Sequence, residues 1–280
     1  MFGEAIIARS ISAARIKDSY GNVWQYLSRS DRHSKIACWA ILFDLLRACP
    51  LLHSQVAAGK VAFGINHEMR DYQQDRKKKL DLVLCRSGGV QPPGADFAAF
   101  GKDCGVVLDV SELEALQELP PLHRAPVSNV LVALEAKACM TEHGKALPRL
   151  HDELASSYQT ILGDTVGAIA AGFVMINCAD TFISSDRNRK RLRSGNVTIN
   201  SHAQPAVSQK TLDGMMKIRR RTHERESGFD ALGIMMIDCR NDRSDVVIDV
   251  EGTALLSDIV RYEPFINRIA HLYAAKFAAL

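Results

Sequence analysis

Residues 129–138, NVLVALEAKA, form a nearly unbroken apolar run that ends in two charges. A run of this length and composition fits a strand covered on both faces, the kind found at the centre of a parallel or mixed sheet. Both faces of such a strand need covering layers, so the chain is expected to adopt an α/β architecture. Alternate side chains of a strand share a face, so Glu135 and Lys137 project together while Ala136 points away. The strand therefore brings a carboxylate and an ammonium group to one place near its end.

The flanking segments supply the layers. Ser30 or Asp31 can cap a helix that runs to about Ala48, where Pro50 stops it, and a short helical stretch then leads to Gly59. Residues 60–70 (KVAFGINHEMR) and 79–86 (KLDLVLCR) have the period of strands, and the polar segment 71–78 between them predicts a hairpin. Residues 87–127 hold SGG, QPPG and PP, a strand-like VVLDV at 106–110 and a short helix at 111–119, and read as an insertion lying over the surface. Residues 147–162 place Leu147, Leu150, Leu154, Tyr158 and Ile161 on one helix face, with Pro148 in the first turn and Gly163 at the stop. Beyond it come a buried strand at 170–178, a polar and basic loop at 184–209, a helix over about 208–226, strands at 231–239 and 244–251, and a closing helix at 263–277. The expectation is a single domain over 1–280. Its core spans about 31–178 in the order α-β-β-β-α-β, interrupted by the insertion at 87–127, and 179–280 extends the same sheet and can house DNA-binding or oligomerisation parts.

With 47% hydrophobic and 24% charged residues, the 280-residue chain falls outside the disordered and fibrous classes. A net charge of +3 permits a nucleic-acid partner without demanding one. The seven cysteines are scattered singly with no C-x-x-C pair, which argues for a reducing, cytoplasmic setting and against structural zinc. The longest apolar run, around 36–46, contains Asp44 and falls well short of the roughly 20 residues of a membrane span. The first residues are small and basic like a transit peptide, but Glu4 and Asp18 interrupt them, and a first helix is the better reading. No P-loop and no G-x-G-x-x-G appears, so no nucleotide-triphosphate engine is expected.

Asp81 sits inside KLDLVL with apolar neighbours on both sides, a costly place for an acid unless something compensates it. Pairing of its strand with 129–138 would bring Asp81 beside Glu135, and two adjacent carboxylates repel each other unless a cation lies between them. Mg²⁺ favours carboxylate and carbonyl oxygens, with Mn²⁺ able to substitute, and the backbone carbonyl of Ala136 is a further available ligand. Lys137 beside such an ion can stabilise charge building on a phosphorus or help to orient and deprotonate a water.

The pattern D-(x)n-E-A-K, with both parts at strand positions, a long helix before and an amphipathic helix after, resembles the PD-(D/E)xK, restriction-endonuclease-like nuclease superfamily. The resemblance covers about residues 31–178. It implies a restriction-endonuclease-like core, a Mg²⁺-dependent endonuclease that hydrolyses DNA phosphodiester bonds, and a prokaryotic restriction or antiviral defence role. It further implies Asp81 and Glu135 as metal ligands and Lys137 as the catalytic lysine. Two departures stand out: Lys79 and Leu80 occupy the place of the motif's proline, and the upstream helix carries no glutamate, for which Glu68 is the substitute candidate.

Lys145, Arg149, Arg187, Arg189, Lys190, Arg191 and Arg193 are candidates to meet a phosphate backbone, against the plainer reading of a solvated basic loop. KIRRR at 217–221 reads as a salt-bridged helix face. His143, His151 and Gln159 flank the expected site and can shuttle a proton or hold water, or simply decorate a helix. Cutting both strands of a duplex calls for two sites, hence a homodimer or larger. A regulatory partner or small-molecule activator stays open, as do two other functions: a non-catalytic nucleic-acid-binding protein on the same fold, and an RNA nuclease.

Overall fold

In the computed structural model, which describes residues 1–88, 96–190, 195–224 and 226–280, the apolar run becomes a central strand with a strand hydrogen-bonded on either side. In chain order the elements begin with α1 (Gly3–Ala13), the short β1 (Ile16–Lys17) and β2 (Val23–Trp24), α2 (Arg32–Ala48) and α3 (Pro50–Ala57). The long hairpin β3 (Val61–Asp71) and β4 (Arg76–Arg86) follows, then α4 (Phe97–Cys104) and α5 (Val110–Gln117). Next come β5 (Val130–Cys139), α6 (His143–Asp164), β6 (Ile169–Asn177), β7 (Thr181–Phe182), α7 (Ser185–Asn188) and β8 (Asn200–Ser201). The chain closes with α8 (Ala206–Met216), β9 (Ala231–Asp238), β10 (Val247–Ile248), α9 (Val250–Ala254), a 3-10 turn (Asp258–Val260) and α10 (Tyr262–Phe277).

The fold is α/β, with a six-stranded mixed sheet in the order β10-β9-β6-β5-β4-β3 flanked by helices. Strands β3, β4 and β5 form an antiparallel meander, whereas β5, β6 and β9 run parallel. The element order α2-β3-β4-β5-α6-β6 is the α-β-β-β-α-β succession expected for 31–178, and the later strands β9 and β10 join the same sheet. One face packs against α1, α2 and α10 through residues such as Ile6, Trp39, Phe43, Leu134 and Phe265. The other packs against α6 and α8 through Ala133, Leu150, Leu154, Val174 and Met215. Asp44, the charge inside the apolar α2, is fully buried and accepts hydrogen bonds from the backbone N–H groups of Phe2 and Gly3, which ties the start of α1 to α2. Among the described residues no single helix is long and apolar enough to cross a membrane.

Several expected boundaries move, each for a local reason. The 106–110 segment is not a strand: Asp109 and Glu112 form a capping box that starts α5 at Val110, and cap chemistry outweighs the β-branched run. The same substitution of cap for strand occurs at 244–251, where only Val247 and Ile248 pair and the Asp249 side chain caps α9. Residues 76–78 of the expected connection at 71–78 belong instead to the start of β4, paired from Asp71↔Arg76 through Met69↔Lys78. Helix α6 begins at His143, so Pro148 lies inside it rather than in its first turn. Helix α8 stops at Met216, which leaves 217–221 outside the helix, and Arg221 is buried against Asp230 instead of forming an exposed salt-bridged face. The insertion does not merely lie over the surface. Phe97 and Phe100 are buried, Phe97 stacks on Trp39 at 4.7 Å, and the Trp39 Nε1–H donates to the Phe97 carbonyl at 2.9 Å.

One feature of the sheet positions everything chemical. Strands β4 and β5 pair from Cys85↔Val130 to Leu82↔Leu134 and no further. Beyond that point β4 stays with β3 down to Arg76, while β5 stays with β6 up to Cys139. The sheet forks there. Across from the fork, Asn66 interrupts the β3–β4 pairing between Ile65↔Leu82 and His67↔Leu80 with a φ of 52°. Asparagine tolerates that left-handed backbone better than most residues. Asn66→Val is expected to lower stability by about 1–2 kcal/mol, and Asn66→Gly to leave it nearly unchanged, as read by urea denaturation.

Candidate active site at the fork of the sheet

The first residues past the last β4–β5 pair are Asp81 and Glu135. With no ladder partner there, the Asp81 carboxylate takes the place of a backbone acceptor: its Oδ2 receives the Ala136 N–H at 3.0 Å. Its Oδ1 receives the hydroxyl of Ser34, from the first turn of α2, also at 3.0 Å. In an extended strand the N–H and C=O of one residue point to the same side. The Ala136 carbonyl therefore faces the gap occupied by Asp81, and its backbone lines the cavity described below.

Glu135 is 1% exposed. Its Oε1 lies 2.7 Å from Lys137 Nζ and 3.6 Å from Lys78 Nζ, while Oε2 is buried with no hydrogen-bond partner. Lys137 also approaches Glu153 of α6 at 3.8 Å, and Glu153 accepts from Arg149 at 2.6 Å. Lys78 donates to the Glu153 backbone carbonyl at 2.5 Å, so α6 lies across the fork and holds both lysines toward Glu135.

The electrostatics follow from burial and proximity. Desolvation, and after it the neighbouring Glu135, pushes the Asp81 carboxyl up to about 6. Burial alone would lower the Lys137 ammonium, but Glu135, Asp81 and Glu153 outweigh it and hold its pKa above the ordinary lysine value. Lys78 goes the other way, lowered because desolvation exceeds the help of Glu135. His33 is pushed down to about 4 by burial and by Lys137, so at neutral pH it is an uncharged imidazole, with Nδ1 buried and unpartnered.

Beside these groups is a cavity of about 580 Å³ bounded by the start of α2, the end of β5 and the first turns of α6; Glu135 and Lys78 are not among its lining residues, and Glu135 is buried. Asp81, Ala136, Lys137, His33, Ser34 and Glu153 line it. Among the expected phosphate-binding residues, Lys145, Arg149 and Arg187 are at its rim, joined by Arg29. All four are already ion-paired, Lys145 and Arg187 with Glu142, Arg149 with Glu153 and Arg29 with Asp186. Arg189 pairs with Asp186 and, like the exposed Lys190, lies off the cavity; Arg191 and Arg193 lie outside the described residues. Glu68 is not brought to the site: it is half exposed and pairs with Lys77 at 3.2 Å. His143 is buried and bonded to the Asn177 carbonyl, His151 faces Asp152, and Gln159 accepts from Arg76.

Arg29 is one residue at the site that the sequence does not single out, and others come from the two covering helices. Ser34, His33 and Asp31 come from the start of α2, where a helix-capping sequence hid them, and Glu153 comes from the polar side of α6. Helix α2 carries no glutamate; Asp31, at its N-terminus, lines the cavity and pairs with Lys35.

The donors available to a metal are two carboxylates and one main-chain carbonyl, and no cluster of three or more His, Cys, Asp or Glu side chains occurs among the described residues. This set fits Mg²⁺, which keeps several waters when protein ligands are few. One Glu135 oxygen is buried without a hydrogen-bond partner among the described residues, and burial followed by the neighbouring Glu135 raises the Asp81 carboxyl. No family model, no curated protein and no solved structure matches the chain.

The raised Asp81 sets a pH dependence. Asp81 ionises at about 6 in the fold against 3.8 for an unperturbed side chain, so the folded state binds more protons between those values. Stability supplied by the neutral carboxyl is present below about pH 4 and is lost as pH rises through 6. Asp81→Asn, in the absence of divalent ions, is expected to be about 1–3 kcal/mol more stable than wild type above pH 7. That gain should fade toward pH 4 in urea denaturation at a series of pH values.

Proposed function

We propose that the chain is a Mg²⁺-dependent endonuclease of the PD-(D/E)xK class, hydrolysing DNA phosphodiester bonds at the fork between β4 and β5. The observation that carries this reading is the half-buried Asp81 beside the buried Glu135 at the fork, with Lys137 Nζ 2.7 Å from Glu135 and one Glu135 oxygen left without a hydrogen-bond partner among the described residues. The α-β-β-β-α-β succession supports a restriction-endonuclease-like core, with α2 before the meander and α6 after it. All seven cysteines are free thiols, in keeping with a cytoplasmic protein.

Asp81, Glu135 and the Ala136 carbonyl would hold the ion. When bound, Mg²⁺ supplies positive charge to the scissile phosphate and acidifies water at neutral pH. Lys137 is fully protonated at neutral pH, so its part is to neutralise charge accumulating on a non-bridging phosphate oxygen, not to accept a proton. Glu153 and Arg149 hold Lys137 in place from α6. Ser34 orients Asp81, and neutral His33 offers a hydrogen-bonding nitrogen at the cavity wall. Arg29, Lys145, Arg149 and Arg187 would exchange carboxylate partners for backbone phosphates, which makes DNA binding fall with rising salt. Cleavage of both strands requires two copies of this site, and so a homo-oligomer.

Plasmid DNA incubated with Mg²⁺ is expected to be nicked or linearised. Glu135→Gln and Lys137→Met should each lower the rate by about 100-fold or more while leaving the far-ultraviolet circular dichroism unchanged. A parallel single-stranded RNA substrate distinguishes the RNA nuclease. Salt-sensitive DNA binding without cleavage in any divalent ion would replace this reading with that of a binding protein.

A further inference from the structure

Away from the fork, a second cavity of about 700 Å³ opens between the N-terminal end of β9, the loop before it and α10. One wall is a stripe of α10 at helical spacing, Pro264, Arg268, Leu272 and Ala275, faced by Leu232 and by Ile259, which is 57% exposed. The floor is rigid. Buried Arg221 holds Asp230 bidentately, Nε to Oδ1 at 2.9 Å and Nη2 to Oδ2 at 2.7 Å, and also donates to the Ala168 carbonyl. Asp230 Oδ2 further accepts the Ala170 N–H at 2.8 Å. Among the described residues that line the cavity, the one carboxylate is therefore fully engaged below it.

Two guanidinium groups at this cavity, those of Arg220 and Arg268, form no ion pair with a carboxylate among the described residues. Arg268 donates to the backbone carbonyls of Asp230 and Arg221, which are neutral acceptors. Arg220 lines the cavity, and its Nη1 is buried with no partner among the described residues. A buried donor of a charged group without a partner is costly, and the planar fork of arginine matches the oxygens of a carboxylate or phosphate. The remaining lining is mostly apolar, and the volume is that of a small-molecule site.

We infer that this cavity binds a small amphipathic anion, with a carboxylate or phosphate head on Arg220 and Arg268 and an apolar body along Ile259, Pro264 and Leu272. The inference is independent of the chemistry at the fork. Hydrophobic contact supplies the affinity and the arginines select the head group, so neither an uncharged chain nor a bare anion satisfies the site.

Titration calorimetry with octanoate, octyl phosphate, octanol and inorganic phosphate tests it on wild type, Arg220→Gln and Ile259→Asp. The expected result is saturable binding of octanoate or octyl phosphate, with their ratio identifying the preferred head group. Octanol and inorganic phosphate should bind about tenfold more weakly or worse, and each variant should weaken the amphipathic anion by about tenfold or more. Ile259→Asp changes an exposed position and keeps the test valid if Arg220→Gln impairs folding. Octanol binding as well as octanoate, inorganic phosphate binding as well as octyl phosphate, undiminished binding in both variants, or no saturable binding to wild type would each overturn the inference.

Discussion

The structure depends on the point where β4 leaves β5. Had the two strands stayed paired past Leu82↔Leu134, Asp81 and Glu135 would sit side by side in a closed ladder, and Ala136 would spend its N–H and carbonyl on β4. The fork frees that backbone and opens the sheet to a cavity between α2 and α6. It also leaves two carboxylates in a desolvated gap, a charge arrangement that the fold only partly offsets. Glu135 is balanced by Lys137 and Lys78, whereas Asp81 accepts from the Ser34 hydroxyl and one backbone N–H and feels the charge of Lys137 at longer range.

The two helices that cover the fork do different work. Helix α2, buried along nearly its whole length and fixed to α1 through Asp44, holds Ser34 and His33 at the cavity wall. Helix α6 spans the gap and sets the lysines: Glu153 draws Lys137 with its carboxylate and Lys78 with its backbone carbonyl. Three acids around Lys137 keep it charged, so it presents a fixed positive charge to the cavity. At the rim, cations and carboxylates are already matched, so long-range attraction for a polyanion is modest. This agrees with a net charge of only +3.

Features that depend on residue periodicity were legible in the sequence. The strand Val130–Cys139, the hairpin before it and the buried stripe of α6 all follow from apolar spacing, and spacing alone puts Glu135 and Lys137 on one face. Features set by a single polar residue were not. Asp109 and Asp249 turn apparent strands into helix starts, because a side-chain cap on free N–H groups outweighs a few β-branched residues. Asp31, His33 and Ser34 read as ordinary helix-start residues, since their approach to Asp81 depends on how α2 crosses the sheet. Glu68 is a candidate because its strand pairs with that of Asp81, but the ladder sets it opposite Lys79 and its charge goes to Lys77.

The central claim is that Asp81 and Glu135 form one cation site, and Mn²⁺ titration followed by electron paramagnetic resonance tests it most directly. The account predicts one Mn²⁺ bound per chain, displaced by Mg²⁺, and lost in both Asp81→Asn and Glu135→Gln. Wild-type protein that binds no Mn²⁺, or Mn²⁺ binding undiminished in the two variants, would contradict it.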